Sequence, residues 1–190
     1  MRKISEEKNL KNKKILLRLD LNVPIKNREI SDPTRINKIL PTLNYLIKQN
    51  SKIIILSHVG RPKGQFDIDL SLKPICIDIE NKINQNIKFI SKNIYEKVIM
   101  LENIRFYNQE EKNDYEFAKH LASLADIYVN DAFSCSHRAH ASITQIAKFL
   151  PSYSGLQFQL EVNALKKITA EIKKPITCII GGSKISTKIN

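Results

Sequence analysis

Cysteine is scarce in this 190-residue sequence, and its three cysteines lie far apart. Cys76, Cys135 and Cys178 form no CxxC pair. An odd, scattered set of thiols argues against a disulfide framework and against a cysteine-based zinc site. Such a set is typical of proteins from a reducing compartment, so we expect a cytoplasmic protein.

Long apolar segments are missing as well. The longest aliphatic run, Ile53–Leu56, is far shorter than the roughly 20 residues that a membrane-spanning helix needs. The N-terminal stretch MRKISEEKNLKNKK has no apolar core of the kind that secretory signal peptides carry. The sequence also contains no internal repeat and no signature of an RNA-recognition motif, zinc finger or OB fold. We therefore expect neither a membrane nor a nucleic acid as the partner.

Positive charge, by contrast, is abundant. The chain has 31 lysines and arginines against 19 aspartates and glutamates, which gives a formal net charge of +12. A surplus of this size favours anionic partners: nucleic acid, an acidic membrane surface or phosphorylated metabolites. Lysines on solvated faces explain most of the surplus equally well. Because 42% of the residues are hydrophobic, the chain can form a core despite this charge.

Short β-branched runs alternate with segments of helical periodicity. Strands are predicted at Lys14–Leu19, Lys52–Ser57, Ile87–Ile90, Lys97–Leu101, Asp126–Asn130 and Pro175–Ile180, and helices from Pro33 onward and at Leu72–Ile83, Tyr115–Leu124, Ala141–Phe149 and Leu156–Ile172. Asp32 is predicted to cap the first helix, with Pro33 at its first position and a kink at Pro41. The alternation predicts an α/β fold: a three-layer Rossmann-like domain with a mostly parallel sheet.

A polar cluster follows most of the predicted strands. The clusters are Asp20–Pro24, Ser57–Gly64, Glu102–Phe106, Asp131–His140 and Gly181–Lys188. Ligands bind at the carboxyl ends of the strands in sheets of this kind. We therefore expect a single site that is assembled from several of these loops.

The side chains in these clusters suit a small anionic ligand. The cationic and histidine side chains are those of Arg61, Arg105, Arg138, His58, His137 and His140. Arginine forks grip phosphate or carboxylate with two hydrogen bonds, whereas Asp20 and Asn22 suit a hydroxyl group on the same ligand. Taken singly, each residue also has an ordinary structural explanation. Arg105, for example, could pair with Glu102 or with Glu110.

Two other features have weaker implications. Gly181 and Gly182 precede Lys184, and this arrangement lets backbone amides and a mobile cation approach a phosphate, although the GxxxxGK[ST] spacing is absent. Cys135 lies close to His137 in the sequence. We expect this cysteine to have a packing role and not to act as a nucleophile.

Several motifs, in this order and spacing, resemble the phosphoglycerate kinase family. They are LRLDLNVP (Leu17–Pro24), DPTRI (Asp32–Ile36), SHVGRPKG (Ser57–Gly64), LENIRF (Leu101–Phe106), EEKND (Glu110–Asp114), VNDAF (Val129–Phe133), HRAHAS (His137–Ser142) and GGSKISTK (Gly181–Lys188). The resemblance runs from the first predicted strand to the last residue. SHVGRPKG and the combination of VNDAF with HRAHAS are its most specific parts.

The resemblance implies two Rossmann-like domains that are joined by a helical hinge. The first domain of such a kinase binds 3-phosphoglycerate, and the second binds ATP or ADP with Mg²⁺. The implied glycolytic reaction converts 1,3-bisphosphoglycerate and ADP reversibly into 3-phosphoglycerate and ATP. Members of the family are usually monomeric.

The resemblance also implies a role for individual residues. The substrate-binding positions match Asp20, Leu21, Asn22, Arg35, His58, Val59, Gly60, Arg61, Arg105 and Arg138, and the nucleotide-binding positions match Gly181, Gly182, Lys184 and Lys188. Arg35 and Lys184 match the catalytic pair that stabilises the phosphoryl group during direct in-line transfer. No metal ligand is implied within this chain.

Two departures from the family pattern affect packing or backbone freedom. Leu21 stands where the family usually has phenylalanine. The stretch Ser134-Cys135-Ser136 replaces a version that frequently contains glycine.

The resemblance covers the first half of a two-domain hinge kinase. We expect a substrate domain at residues 1–154, a hinge helix at 155–173 and the start of a nucleotide domain at 174–190. We expect such a fragment to have negligible kinase activity alone. Two alternatives stay open: a non-catalytic module that binds 3-phosphoglycerate, and a basic nucleic-acid-binding protein.

Overall fold

The computed structural model describes residues 2–26, 28–89 and 96–170, together with residues 174, 175, 177 and 179. The predicted loop Gly181–Lys188 and part of the predicted strand Pro175–Ile180 lie outside the described residues. The chain divides into two compact units, Met1–Gln159 and Leu160–Asn190. All the strands described below belong to the first unit.

Most strands of the first unit join one sheet. In chain order, the strands are β1 (Lys14–Leu19), β2 (Ile25–Lys26), β3 (Glu29–Ile30), β4 (Lys52–Leu56), β5 (Lys88–Phe89), β6 (Val98–Met100), β7 (Ile127–Asp131) and β8 (Ser152–Ser154). The main sheet has the order β5-β6-β4-β1-β7-β8, and its paired strands all run parallel. β2 and β3 form a separate antiparallel hairpin. The α/β architecture that the sequence predicts is therefore confirmed.

The central strand β1 shows why these strands are apolar along their length. Ile15, Leu17 and Leu19 belong to one hydrophobic core, whereas Leu16 belongs to a second core. Successive side chains of a strand point to opposite faces of the sheet, so a strand that is covered on both faces is apolar at almost every position. One core lies on each face of the sheet, so helices, sheet and helices form the three layers that the sequence predicts.

Helices cover both faces of the sheet. In chain order, the helices of the described residues are α1 (Thr34–Lys48), α2 (Lys73–Ile83), α3 (Asn108–Glu111), α4 (Tyr115–Ala122) and α5 (Leu156–Thr169). Ile39 of α1 and Ile75 of α2 pack into the first core, and Leu121 of α4 packs into the second. None of the helices in the described part of the chain is both long enough and apolar enough to span a membrane.

The first turn of α1 differs from the predicted cap. The helix begins at Thr34, so that Pro33 and not Asp32 is the residue that immediately precedes it. The Asp32 carboxylate still accepts a hydrogen bond, at 2.9 Å, from the amide of Thr34. α1 then continues through Pro41 to Lys48.

The segment that was expected to form a helix at Ala141–Phe149 is irregular. It consists of a π-type turn, Ala141–Gln145, and a 3-10 turn, Ile146–Lys148. The hydroxyl of Tyr128 donates to the carbonyl oxygen of Ser142 at 2.7 Å. This tertiary hydrogen bond competes for a carbonyl that a regular helix uses internally.

The sequence did not indicate three of the short strands, β2, β3 and β8. The β2–β3 hairpin has two residues in each strand, and β8 is the tripeptide Ser-Tyr-Ser beside β7. Strands of this length are too short to show an alternation of apolar and polar residues.

Side chains from other elements of the first unit hold the start of α5. Asp131, at the end of β7, accepts a hydrogen bond at 2.8 Å from the amide of Phe158. Thr42 of α1 accepts one at 3.0 Å from the amide of Leu156. A Cβ atom on Gly155 would collide with Cγ of Asp131, so this close approach requires glycine.

Candidate functional site

A cavity of about 260 Å³ opens beside the carboxyl ends of β1, β4 and β7. Its lining residues are Asp20, Asn22, Arg35, His58, Gly60, Arg61, Arg105, Ser134, Cys135 and Arg138. Sites for drug-sized ligands typically measure roughly 300–1,000 Å³. The smaller volume suits a compact metabolite with few non-hydrogen atoms.

The sheet topology explains why the loops meet at this position. From β1 the chain proceeds to β4, β5 and β6, which all lie on one side of β1, and it then returns to β7 on the other side. The connection that leaves β1 therefore runs to one side of the sheet, and the connection that leaves β7 runs to the other. The two connections diverge at the carboxyl ends of these neighbouring strands. Ligands bind at such switch points in open parallel sheets.

Arg61, Arg105 and Arg138 line the cavity and supply hydrogen-bond donors. Arg105 is fixed by its surroundings: Nη1 donates to the carbonyl oxygen of Gly60 at 2.9 Å, and Nε lies 3.4 Å from a carboxylate oxygen of Glu111. Burial lowers the pKa of Arg105. The ion pair with Glu111 replaces the pairs with Glu102 or Glu110 that the sequence suggested.

Arg18, a residue that the sequence analysis does not single out, fixes the tautomer of His58 and helps to keep its ring neutral. Arg18 is only 1% exposed, and its Nη2 lies 2.9 Å from Nδ1 of His58. A guanidinium can only donate, so Nδ1 is the acceptor and the ring hydrogen is on Nε2. Burial, with further contributions from Arg18 and Arg105, holds the pKa of His58 far below its ordinary value. His58 is therefore a neutral donor at the cavity wall.

The buried charge of Arg18 is connected to a buried carboxylate. Nε of Arg18 donates to Ser142 Oγ at 3.0 Å, and the Ser142 hydroxyl donates to Glu110 at 2.6 Å. The amide of Ser142 donates to the same carboxylate at 2.8 Å. Glu110 is fully buried, so Ser142 links two opposite charges that both need partners.

Asp20 and Asn22 also line the cavity, and both accept hydrogen bonds. Asp20 Oδ2 accepts hydrogen bonds from Nη1 of Arg35 and, at 2.5 Å, from the hydroxyl of Ser134. Asn22 Oδ1 accepts one at 2.9 Å from the amide of Gly60, which joins the loops after β1 and β4. The cavity lining thus offers donors for an anion and an acceptor for a hydroxyl.

The structure does not bring every predicted residue to the cavity. Leu21 and Val59 are buried in the first core, so their side chains face away from a ligand. His137 and His140 do not line the cavity either; His140 Nδ1 lies 3.7 Å from a carboxylate oxygen of Glu110. The predicted nucleotide residues Gly181, Gly182, Lys184 and Lys188 lie outside the described residues.

Cys135 lines the cavity without the properties of a nucleophile. Its sulfur lies 3.4 Å from the carbonyl oxygen of Ala132, and burial raises the pKa of the thiol. Across the described ranges, no group of three or more histidine, cysteine or acidic side chains is arranged to hold a metal ion.

The sequence contains a signal for Arg18 that lies outside the polar clusters. Arginine at the fifth position of an aliphatic strand, KILLRL, needs a buried partner. Ser134 gives no comparable signal, because its contact with Asp20 joins residues 114 positions apart.

The comparisons with known proteins cover almost the whole chain. The family model for phosphoglycerate kinase matches residues 5–190. A phosphoglycerate kinase from Wolbachia pipientis wMel is 54% identical over 196 residues, which cover 97% of this chain and 49% of that protein. One from Dictyoglomus turgidum is 45% identical over 195 residues, which cover 96% of this chain and 49% of the relative.

Solved structures are similar over the same extent. The phosphoglycerate kinase of Coxiella burnetii matches with a TM-score of 0.87 and 38% identity, covering 98% of this chain and 50% of that chain. The enzyme from Pyrococcus horikoshii matches with a TM-score of 0.88 and 29% identity at the same coverage. The chain therefore spans about half the length of the curated relatives it matches.

Proposed function

Because the chain belongs to the phosphoglycerate kinase family, we propose that it binds 3-phosphoglycerate in the cavity at the strand ends. The observation that carries the proposal is the convergence of Arg61, Arg105 and Arg138, together with Asp20, around one small cavity. Phosphate and carboxylate suit the three arginines, and the ligand hydroxyl suits Asp20. A concave pocket of this volume also fits a small anion better than it fits a polynucleotide backbone.

The proposed reaction is phosphoryl transfer between this ligand and an adenine nucleotide in glycolysis. The bond between phosphorus and the carboxyl oxygen of 1,3-bisphosphoglycerate breaks, and a bond forms between phosphorus and a terminal oxygen of ADP. Catalysis of this kind depends mainly on positioning and on charge stabilisation. From the family resemblance, we assign charge stabilisation to Arg35 and Lys184.

The remaining assignments belong to the same proposal. Gly181, Gly182, Lys184 and Lys188 approach the nucleotide phosphates, and Mg²⁺ enters as part of MgATP or MgADP. Residues 155–173 serve as the hinge between the substrate domain and the nucleotide domain. The protein works as a cytoplasmic monomer.

Calorimetry with the 190-residue chain tests the binding step directly. Titration with 3-phosphoglycerate should give a saturable signal with one site per chain. A chain that is folded by circular dichroism but shows no saturable binding would contradict the proposal. A coupled assay with ATP, Mg²⁺ and 3-phosphoglycerate then measures turnover by the 190-residue chain, for which we expect negligible activity. Turnover would show that the chain is an enzyme by itself and not only a binding module.

A further inference from the structure

We propose that Ser134 is a positioning residue that holds Asp20 so that this carboxylate recognises the ligand hydroxyl. The inference rests on the proposed function, since it concerns the same cavity. Ser134 lines that cavity, and its hydroxyl lies 2.5 Å from Oδ2 of Asp20. A carboxylate can only accept, so the serine donates its single hydrogen to Asp20.

The hydrogen bonds around Asp20 leave a defined place for one more donor. A carboxylate offers about four acceptor positions. Oδ2 accepts from Arg35 and from Ser134, whereas Oδ1 accepts from the amide of Asn22 at 3.3 Å. The remaining acceptor position is therefore on Oδ1, and a ligand hydroxyl can use it without displacing Ser134.

The hydroxyl of Ser134 also acts as an acceptor toward the cavity. Its hydrogen is committed to Asp20, so its lone pairs are available to a donor from the ligand. Arg61, Arg105 and Arg138 can only donate, and a ligand hydroxyl that meets them finds no acceptor. Asp20 and Ser134 together thus favour a ligand that carries a hydroxyl beside its anionic groups.

The local backbone does not depend on the Ser134 hydroxyl. The turn Phe133–Cys135 is held by hydrogen bonds from the Cys135 amide to the Ala132 carbonyl at 3.3 Å and from the Ser136 amide to the Phe133 carbonyl at 3.1 Å. Ser136 Oγ adds a third bond at 2.8 Å to the Ala132 carbonyl. Removing the Ser134 hydroxyl therefore leaves the turn intact and changes the surroundings of Asp20.

Calorimetry of two ligands measures this role. The first ligand is 3-phosphoglycerate, and the second is 3-phosphooxypropanoate, its analogue without the hydroxyl. The readout is the ratio of the two dissociation constants. Ser134→Ala should reduce the preference for the hydroxyl ligand by about 3- to 10-fold, as expected for the loss of one hydrogen bond near a charge.

Two variants serve as controls. Ser134→Thr keeps a hydroxyl at the same position and should retain the preference within about twofold of wild type. Ser123→Ala removes an exposed serine hydroxyl at the end of α4 that does not line the cavity, so it should leave the ratio unchanged.

Each contrary result has a distinct meaning. An unchanged ratio in Ser134→Ala, or an equal loss of affinity for both ligands, overturns the role of Ser134 and leaves the proposed function standing. A wild-type chain that binds both ligands equally well also overturns it. A folded wild-type chain that binds neither ligand overturns the proposed function together with this inference.

Discussion

The side chains of Arg18 and His58 meet at 2.9 Å between Nη2 and Nδ1, although they are 40 residues apart in the sequence. The contact directs the protonated Nε2 of His58 away from Arg18 and keeps the ring neutral beside several arginines. It gives a phosphate or carboxylate ligand a neutral donor whose orientation is already set. Preorganisation of this kind lowers the cost of ordering side chains when a ligand binds.

We expect His58 to stay neutral in the folded chain between about pH 5 and pH 8, the range in which histidine usually titrates. Burial and the nearby arginines lower its pKa from the ordinary 6.5. Below about pH 6.5 the unfolded chain binds a proton at this residue and the folded chain does not. The free energy of unfolding therefore falls as the pH decreases below that value. NMR titration checks this, with His58→Gln identifying the signal. A midpoint near 6.5 for that signal would show that the ring is not held neutral.

Arg61→Ala should weaken binding of 3-phosphoglycerate about tenfold or more, because a charge-assisted hydrogen bond contributes about 1.5–3 kcal/mol. Calorimetry measures the change. Lys119→Ala is the matched control, since it removes one exposed positive charge on α4 that does not line the cavity. If the two variants bound 3-phosphoglycerate equally weakly, the loss of affinity would come from the lower net charge and not from the loss of the Arg61 contact.

Ser142→Ala should lower the free energy of unfolding by about 2–6 kcal/mol. The change removes an acceptor from Arg18 Nε and a donor from Glu110, and buried groups that lose a partner cost about 1–3 kcal/mol each. Urea denaturation gives the value. Ser123→Ala, which removes an exposed hydroxyl bonded to the His120 carbonyl, should change stability by less than about 0.5 kcal/mol. A loss that is equally small in Ser142→Ala would mean that water replaces the missing hydroxyl.

Asp131→Asn should become more stable relative to wild type as the pH rises. Burial raises the pKa of Asp131 to about 6, so the folded chain holds a proton that the unfolded chain releases near pH 3.8. The free energy of unfolding of wild type therefore falls by about 2 kcal/mol from pH 4 to pH 7. The asparagine variant has no carboxyl group at this position and should not show this fall.

Urea denaturation at a series of pH values measures this difference. Asp126→Asn is the control, because Asp126 is exposed and likewise accepts a backbone hydrogen bond, from the amide of Lys14. A stability difference between Asp131→Asn and wild type that does not vary with pH would contradict the raised pKa.

The sequence by itself determined the architecture and much of the cavity lining. The aliphatic strands β1 and β4 predict a sheet that is covered on both faces, since side chains alternate between the faces. The polar clusters after these strands predict where the loops converge, because the carboxyl ends of parallel strands lie at one edge. Asp20, His58 and Arg61 were found in this way. The local chemistry of each cluster was sufficient for that step.

Only the tertiary structure decided which polar groups pair with one another. Arg18 and Ser142 are 124 residues apart, and Ser134 and Asp20 are 114 residues apart. No local period or motif encodes such pairs, because the distance between them depends on how the strands order in the sheet. The same dependence gave Arg105 the partner Glu111 and kept His140 out of the cavity. A hydrogen bond requires its atoms within about 3 Å, and only the folded chain brings distant residues that close.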